Sequence, residues 1–378
     1  MATTDRVTSP TAPPPGQLDP RLEHLLHRDA AEADRTGRIT DDVLHALRSC
    51  GILGTAVPRA YGGAGKDATE INALVEQVAR ADPSVAIILF QHFAVSARIQ
   101  EWADEEQKAR YLPRLASGEW LAASAWSESG AGADKRNLST TAERTPHGWV
   151  LNGAKAFTTG AGLAQLYLVL AQTSAPEHDT SLYGSSGQTF FLVEADTPGL
   201  TAETGMDLVG MRASATGFVE LRDCHVPAGA AIEPLGQAAR IIAAVRHSGA
   251  TLGAVSLGIA HTAYHLALSH ARKRGLSEAQ AVRHKLADIA ALLEATRALV
   301  ERAGRRTSDD PGTTTLLSKL HATSTAEHIC QEVKRLLGSS GFLSDHPINR
   351  LARDAHAVGL MGPTNHLIRE LVSAQWTA

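Results

Sequence analysis

Ala125-Trp-Ser-Glu-Ser-Gly-Ala-Gly-Ala-Asp134 is the stretch whose reading decides the fold. It follows an apolar run from Trp120 to Ala125 and packs a hydroxyl, further polar side chains and two glycines into a few residues. Glycine has no Cβ, so a backbone built this way can pass close to a flat, polar-edged ligand. Alone, a Gly-Ala-Gly turn is more often a plain surface connection between strands. It is not a dinucleotide fingerprint: Lys135 stands where the third glycine would be, and no helical pattern follows. Its meaning depends on what accompanies it.

Around this turn, from Trp120 to about Pro227, β-branched and aromatic runs alternate with Gly, Pro and Asp clusters: Trp149-Val-Leu151, Leu166 to Leu170, Thr189 to Val193 and Thr216 to Leu221. Residues 120–227 are therefore expected to form a β domain. Gln172 to Gln188, rich in Ser, Gly, Thr and Pro, is expected to be a long, exposed and mobile loop. On both sides the period is helical. Residues 21–119 carry Leu22, Leu25 and Leu26, then Val43, Leu44 and Leu47 behind a Thr40-Asp41-Asp42 cap. Two apolar helices between Ala68 and Ala103 are broken at Asp82-Pro83-Ser84, and a third runs from Glu105 to near Gly118. Residues 228–378 are helical again. Gly249 to Ala260 is dense in small residues, which permits close helix contact; Val282, Leu286, Ile289, Leu293 and Val300 form a stripe interrupted by Thr296. The last helices are expected from Leu316 to Leu337 and from about Ala352 to Ser373. Residues 1–20, with Ser-Pro-Thr-Ala-Pro-Pro-Pro-Gly, read as a disordered leader.

With 43% hydrophobic and 20% charged residues, the 378-residue chain can bury a sizeable core in two or three domains. A formal charge of −4 and the absence of a lysine/arginine block disfavour nucleic-acid binding. Cys50, Cys224 and Cys330 are far apart and form no CxxC pair. Without an apolar leader segment or a membrane-length apolar run, the chain is expected to be cytoplasmic, with reduced thiols and no membrane partner. His261 and His265 stand four apart as metal ligands can, but no carboxylate or third histidine is near in sequence, and no metal is expected.

Four further strings accompany the opening turn: Val57-Pro-Arg-Ala-Tyr-Gly-Gly63, Trp149-Val-Leu-Asn-Gly-Ala-Lys-Ala-Phe-Thr-Thr-Gly160, Gly210-Met-Arg-Ala-Ser-Ala-Thr216 and Arg353-Asp-Ala355. In order and spacing the five resemble the acyl-CoA dehydrogenase family of flavoproteins, from about Asp41 to the C-terminus. The resemblance implies an α+β fold: an N-terminal helical domain, a central β-barrel or sandwich domain and a C-terminal four-helix bundle. It also implies FAD, a thioester substrate on CoA or an acyl carrier protein, and an electron-transfer partner or oxygen as acceptor. A homo-oligomer is implied as well, because flavin sites in the family are completed across a subunit boundary.

An isoalloxazine ring needs donors at its pyrimidine edge, where charge builds up as hydride arrives, and a hydroxyl or amide at N5. By resemblance, Trp126 and Ser127 line the pyrimidine side, while Phe157, Thr158 and Thr159 cover the other face and reach N5. Arg272 matches the family's arginine for the adenosine half, although the Phe of its Arg-x-x-Phe-Gly turn is absent. Gly338-Ser339-Ser-Gly-Phe342 matches the glycine-rich turn against a partner's flavin pyrophosphate. Arg335 replaces the usual glutamine there, and suits either a phosphate or a solvated helix face. Thr364 is also counted among the flavin-binding residues.

The resemblance breaks at the catalytic base. Desaturating a thioester requires a base for the α-proton, which the family supplies from a Glu shortly after Arg-Asp-Ala. Counted without gaps from Arg353, that position is Gly362; the alternative glutamate of other members falls near Ser248. One chemistry that survives is oxidation of an alcohol on an acyl group held by an acyl carrier protein. The dehydrogenases of hydroxymalonyl and methoxymalonyl extender units for polyketides do this, and their C-termini resemble Leu360-Met-Gly-Pro-Thr-Asn365. His247, beside Ser248, is the candidate weak base. A second chemistry is monooxygenation by reduced flavin and oxygen, with His92 orienting, though a satisfied core histidine is the commoner meaning of such a residue. A third reading is an inactive flavin-fold scaffold, against which stand Ser127 and Thr159.

Overall fold

A computed structural model describes residues 18–130, 135, 138–175 and 183–376. The helix signals of the first third become five helices with identifiable starts. Asp19 accepts from the Arg21 and Leu22 amides to open α1 (Pro20–Thr36), Thr40 caps α2 (Asp41–Ser49), and Asp67 forms a capping box with Glu70 on α3 (Ala68–Ala81). Asp82 ends α3 and caps α4 (Pro83–Trp102), whose proline sits in the first turn, where its missing amide leaves no bond unmade. α5 (Glu105–Ser117) ends at Gly118, where φ is +83° and a Cβ would lie 2.1 Å from the Arg48 carbonyl oxygen. Leu18 is buried and Asp19 is a cap. The stretch read as a leader therefore joins the fold by Leu18, and its earlier residues lie outside the described ones.

The β layer is one seven-stranded sheet: β1 (Ala122–Ala125), β2 (Thr141–Thr145), β3 (Gly148–Thr158), β4 (Leu166–Gln172), β5 (Gln188–Glu194), β6 (Leu200–Thr204) and β7 (Gly217–Val226). The order is β1-β4-β2-β3-β7-β6, with β5 paired to β4. β1 runs parallel to β4, with Ala122 opposite Leu166, whereas β3 is antiparallel to both β2 and β7. β4 and β5 are buried on both faces, which is why they read as continuous apolar runs. The polar edge strand β6 left no such signal.

After the sheet come α6 (Ala238–Val245), α7 (Gly253–Lys273), α8 (Gln280–Arg305), α9 (Pro311–Leu337), α10 (Pro347–Leu360) and α11 (Asn365–Ser373). α7 to α10 pack on one another as a bundle, and α7 also packs on α3. The small residues of α7 permit this: a Cβ on Gly258 would stand 2.6 Å from Cβ of Ala79 on α3, and one on Gly253 would stand 2.9 Å from the Ser318 carbonyl oxygen on α9. Thr296 does not interrupt the α8 stripe, because it is buried and its hydroxyl bonds the Leu292 carbonyl at 2.8 Å. The helix expected from Ala352 to Ser373 is two helices. Pro363 cannot donate an amide, so the chain turns at residues 361–364 and restarts with Thr364 capping α11 through the Leu367 amide. Likewise α9 starts at Pro311 and α10 at Pro347, earlier than their apolar patterns suggest. Among the described residues no helix is long and apolar enough to cross a membrane.

The turn after β1 is fixed to the sheet by Glu128, which is 4% exposed. Its carboxylate accepts from Lys155 Nζ on β3 at 2.7 Å, from the Ser139 amide and hydroxyl at 2.7 and 2.6 Å, and from the Thr140 amide at 3.1 Å. Burial by itself would raise this carboxyl, but the Lys155 charge and the hydrogen bonds outweigh it and hold it at about 2. Glu128→Gln leaves the buried Lys155 ammonium without a counter-charge and should lower stability to denaturant by about 3–5 kcal/mol. The folded pKa lies below the ordinary value of 4.5. The stabilisation is therefore complete above that pH and lost as pH falls toward 2, and the variant should lack this part of the acid-induced loss.

Candidate active site

A cavity of about 510 Å³ lies between α4, the sheet and the start of the helical bundle. Trp126, Ser127, Phe157 and Thr159 line it from the sheet, Phe90, Ala94 and Arg98 from α4, Val245 and Arg246 from the end of α6, and Met361 to Thr364 from the turn between α10 and α11. The residues singled out at the opening turn, on β3 and at the C-terminal string thus meet at one place. Ala131 to Asp134 of the opening turn lie outside the described residues.

On β3 the pairing with β7 slips between Lys155 and Thr158, and Phe157 adopts a φ of +55° with 62% of its surface exposed. An aromatic residue in the left-handed region is strained, and such strain concentrates at ligand sites. Trp126 packs on Phe190 at a ring-centroid distance of 4.8 Å, yet its Nε1 is buried without a hydrogen-bond partner, as is Thr158 Oγ1. Thr158 itself does not reach the cavity lining. Two unsatisfied polar atoms beside a strained aromatic residue suit a flat, polar-edged ligand. Ser127 Oγ accepts from Lys135 Nζ at 2.6 Å.

The Gly210 to Thr216 string contributes two hydroxyls that the sequence had not assigned: Ser214 Oγ lies 2.7 Å from Thr216 Oγ1, which lies 3.2 Å from Thr159 Oγ1. The loop is held from α10. The Met211 amide donates to the buried Asp354 at 2.6 Å, Arg353 reaches the Val209 carbonyl at 2.7 Å, and a Cβ on Gly210 would stand 2.4 Å from the Arg353 carbonyl oxygen. Burial pushes the Asp354 carboxyl up to about 7, against the pull of the Met211 amide. Arg353 also forks onto Asp34 of α1 at 2.6 and 3.1 Å. That contact explains why the two strings accompany each other in sequence.

Gly362 lines the cavity between two carbonyls gripped by α9: Lys319 Nζ donates to Met361 O at 2.6 Å and to Pro363 O. Burial pulls the Lys319 ammonium down to about 7. A Cβ on Gly362 would lie 3.2 Å from the Tyr183 hydroxyl, which also lines the cavity. Burial pushes that phenol up to about 12, so it stays protonated at neutral pH. Tyr183 as a whole is half-buried, and Gly184 and Ser185 beside it are buried. The end of the segment expected to be an exposed loop is therefore packed inward, and residues 176–182 lie outside the described ones. Thr364 combines its cap with a place on the cavity wall.

Several candidates lie elsewhere. His247 is exposed, with its ring against Gly312 at the start of α9, and it does not line the cavity; its neighbour Arg246 does. The helix-end geometry turns consecutive side chains in different directions, so His247 is not placed to serve as base. Ser248 Oγ donates to the Val245 carbonyl at 2.8 Å. His92 is fully buried, bonded through Nε2 to the Leu53 carbonyl at 3.0 Å and through Nδ1 to the Ala122 amide at 3.2 Å, and burial pulls it down to about 4. It is a neutral core histidine. Arg272 is exposed at the end of α7, Arg335 pairs with Glu332, and Gly338 and Ser339 are exposed where α9 ends, all apart from the cavity. His261 and His265 approach to 3.2 Å, and among the described residues no group of three His, Cys, Asp or Glu side chains could hold a metal.

Lys319→Met removes both donors from the 361–364 turn. It should cost roughly 2–3 kcal/mol and speed hydrogen exchange at Gly362 and Asn365 without unfolding α9. Unchanged protection there would refute the grip.

Residues 22–119, 123–224 and 238–376 match in turn the acyl-CoA dehydrogenase N-terminal, middle and C-terminal domains. The chain is 31% identical over 353 residues to the probable acyl-CoA dehydrogenase FadE25 of Mycobacterium tuberculosis, covering 91% of this chain and 89% of that one. Its structure matches butyryl-CoA dehydrogenase from Megasphaera elsdenii with a TM-score of 0.86 at 27% identity, over 96% of this chain and 99% of the other. It matches FkbI, for biosynthesis of the methoxymalonyl extender unit of the Fk520 polyketide, with a TM-score of 0.81 at 27% identity, over 94% and 98%. The strained Phe157 and the unpartnered Trp126 Nε1 on the cavity wall fit a flavin ring. The chain belongs to the acyl-CoA dehydrogenase family and is an FAD-dependent oxidoreductase of acyl thioesters.

Proposed function

We propose that this protein oxidises a hydroxylated or otherwise activated acyl group, carried as a thioester on an acyl carrier protein or CoA, rather than desaturating a plain acyl chain. One observation carries the reading. The only carboxylate among the described lining residues is Glu128, whose four hydrogen bonds commit it to Lys155, Ser139 and Thr140. Removing an α-proton without a positioned base forfeits the roughly 10²–10⁴-fold that general-base catalysis supplies. An alcohol makes a smaller demand, because its O–H proton is more acidic than the α-C–H of a thioester that is not strongly polarised.

FAD, when bound, supplies the hydride acceptor. We assign Trp126, Ser127, Thr158, Thr159 and Thr364 to its ring and Phe157 to its covered face. Ser214 and Thr216 extend the hydroxyl row at Thr159. The protonated Tyr183 phenol beside Gly362 donates a hydrogen bond that orients the substrate oxygen. Arg272, Arg335, Gly338 and Ser339 are assigned to the adenosine and pyrophosphate half of a flavin bound across subunits. Support for that homo-oligomer comes from Phe342 and Leu343, 91% and 60% exposed beside the same turn, an apolar surface that a partner would cover. The likeness to FkbI supports a place in secondary metabolism. The likeness to butyryl-CoA dehydrogenase keeps simple desaturation as the competing reading. The monooxygenase reading has no orienting histidine once His92 is bonded on both nitrogens.

Anaerobic mixing of the FAD-loaded protein with a hydroxyacyl carrier-protein thioester should bleach the flavin at least about 10²-fold faster than butyryl-CoA or octanoyl-CoA does. Rapid bleaching by the simple acyl-CoAs would sink the proposal. Tyr183→Phe should slow the productive bleaching roughly tenfold with the flavin midpoint potential unchanged, whereas Thr159→Val should shift the potential. A potential that moves in Tyr183→Phe but not in Thr159→Val would reverse the two assignments.

A further inference from the structure

We infer that the acyl group entering this cavity carries a carboxylate, held by Arg98 and Arg246; the inference rests on the thioester reading of the same cavity. Phe90, Ala94 and Arg98 are spaced by four on α4, so they stack along one face over two turns, and all three line the cavity. Most of α4 is apolar and buried, so a guanidinium on it needs an anion close by, and Glu101 on the same helix supplies one. Arg98 is 2% exposed. Its Nε and Nη2 both go to one oxygen of Glu101, at 3.2 and 3.0 Å, while Nη1 makes no hydrogen bond among the described residues. Arg246 lines the cavity from a different element, and its side chain has no hydrogen bond or ion pair among the described residues.

Among the described lining residues the cavity wall therefore carries two guanidiniums besides the Lys135 ammonium, which donates to Ser127, and its one carboxylate is committed elsewhere. Burial works against the Arg246 charge, with only the more distant Asp310 favouring it. Arg246 has no closer partner among the described residues, and Arg98 keeps Nη1 to spare beside its Glu101 pair, so an anion brought by the ligand would satisfy both. A carboxylate matches the planar fork of a guanidinium, and the depth of Arg98 suits the end of an acyl group rather than the phosphate of its carrier. The substrate class is thus an acyl thioester ending in a free acid.

The test measures binding of malonyl- and succinyl-pantetheine, each against its methyl ester, to the FAD-loaded protein by the shift in flavin absorbance. The acids should bind about tenfold or more tightly than the esters. Arg98→Gln and Arg246→Gln should each reduce that preference to within about twofold while ester affinity stays, and Arg98→Lys should keep part of it. Equal affinity of acid and ester in the unaltered protein, or a preference that survives both substitutions, would overturn the inference and leave the thioester reading standing. A gain for CoA over pantetheine thioesters that vanishes in the variants would assign the arginines to a carrier phosphate. Loss of bound flavin in Arg246→Gln would assign that arginine to the cofactor, and either result overturns the proposal. Absence of any absorbance shift with acids and esters alike removes the thioester reading together with it.

Discussion

Glu128 receives four hydrogen bonds from three residues, and nearly everything at the site hangs from them. Two come from the amide and hydroxyl of Ser139 and one from the amide of Thr140, just before β2; the fourth comes from Lys155 on β3. One carboxylate therefore fixes the turn that carries Trp126 and Ser127 relative to the strand that carries Phe157, Thr158 and Thr159. The backbone bond from the Ala156 amide to the Ser127 carbonyl, at 2.8 Å, closes the same junction. An ion pair this deep is a weak source of net stability compared with an apolar pair of equal volume. Its value here is positional: it sets two ligand-facing segments at a fixed separation, as a preorganised site requires.

A second junction joins sheet to bundle. Asp354 takes the Met211 amide, and Arg353 spans Asp34 and the Val209 carbonyl, so the loop bearing Ser214 and Thr216 is tied to α10 and α1 together. The turn that follows α10 is tied to α9 by Lys319. The cavity is thus closed by charged groups spent on backbone carbonyls and amides. On the wall itself stand Arg98, already paired with Glu101, and Arg246, and the described lining residues include no carboxylate free to act as a base. The same accounting of partners supports the proposed chemistry and the proposed acidic substrate.

How much of this was legible in the sequence follows from the physics of each signal. Caps at Thr40 and Asp82 and the apolar runs of β4 and β5 are local, so the helical flanks and central strands could be read directly. The motif strings located Trp126, Ser127, Phe157 and Thr159. Side-chain direction was not legible: His247 and Arg246 are neighbours, and only the fold shows that the arginine, not the histidine, lines the cavity. Tyr183 sat in a segment whose polar composition suggests exposure, and its burial depends on contacts with distant elements. Arg98 did leave a trace, as a charge on an apolar helix four residues beyond Ala94, but a partner such as Glu101 is the ordinary explanation of such a charge. The break at Pro363 was also readable, since proline cannot continue a helix; the apolar pattern on either side of it concealed the interruption.

The relation between Gly362 and Tyr183 makes the missing carboxylate part of a larger change. A Cβ at Gly362 would come within 3.2 Å of the phenol oxygen, tighter than most side chains pack, so a glutamate there requires the phenol to give by a few tenths of an ångström. The phenol lies in a well-buried setting that keeps it protonated, which suits a donor and not an acceptor of protons. Restoring the acid alone would therefore place a carboxylate against a neutral hydroxyl, on a wall that also carries Arg98 and Arg246. The absence of the base, the inward phenol and the positive wall are mutually consistent features of one site. That consistency supports the proposed reading, in which the cavity serves another thioester and has not merely lost a residue.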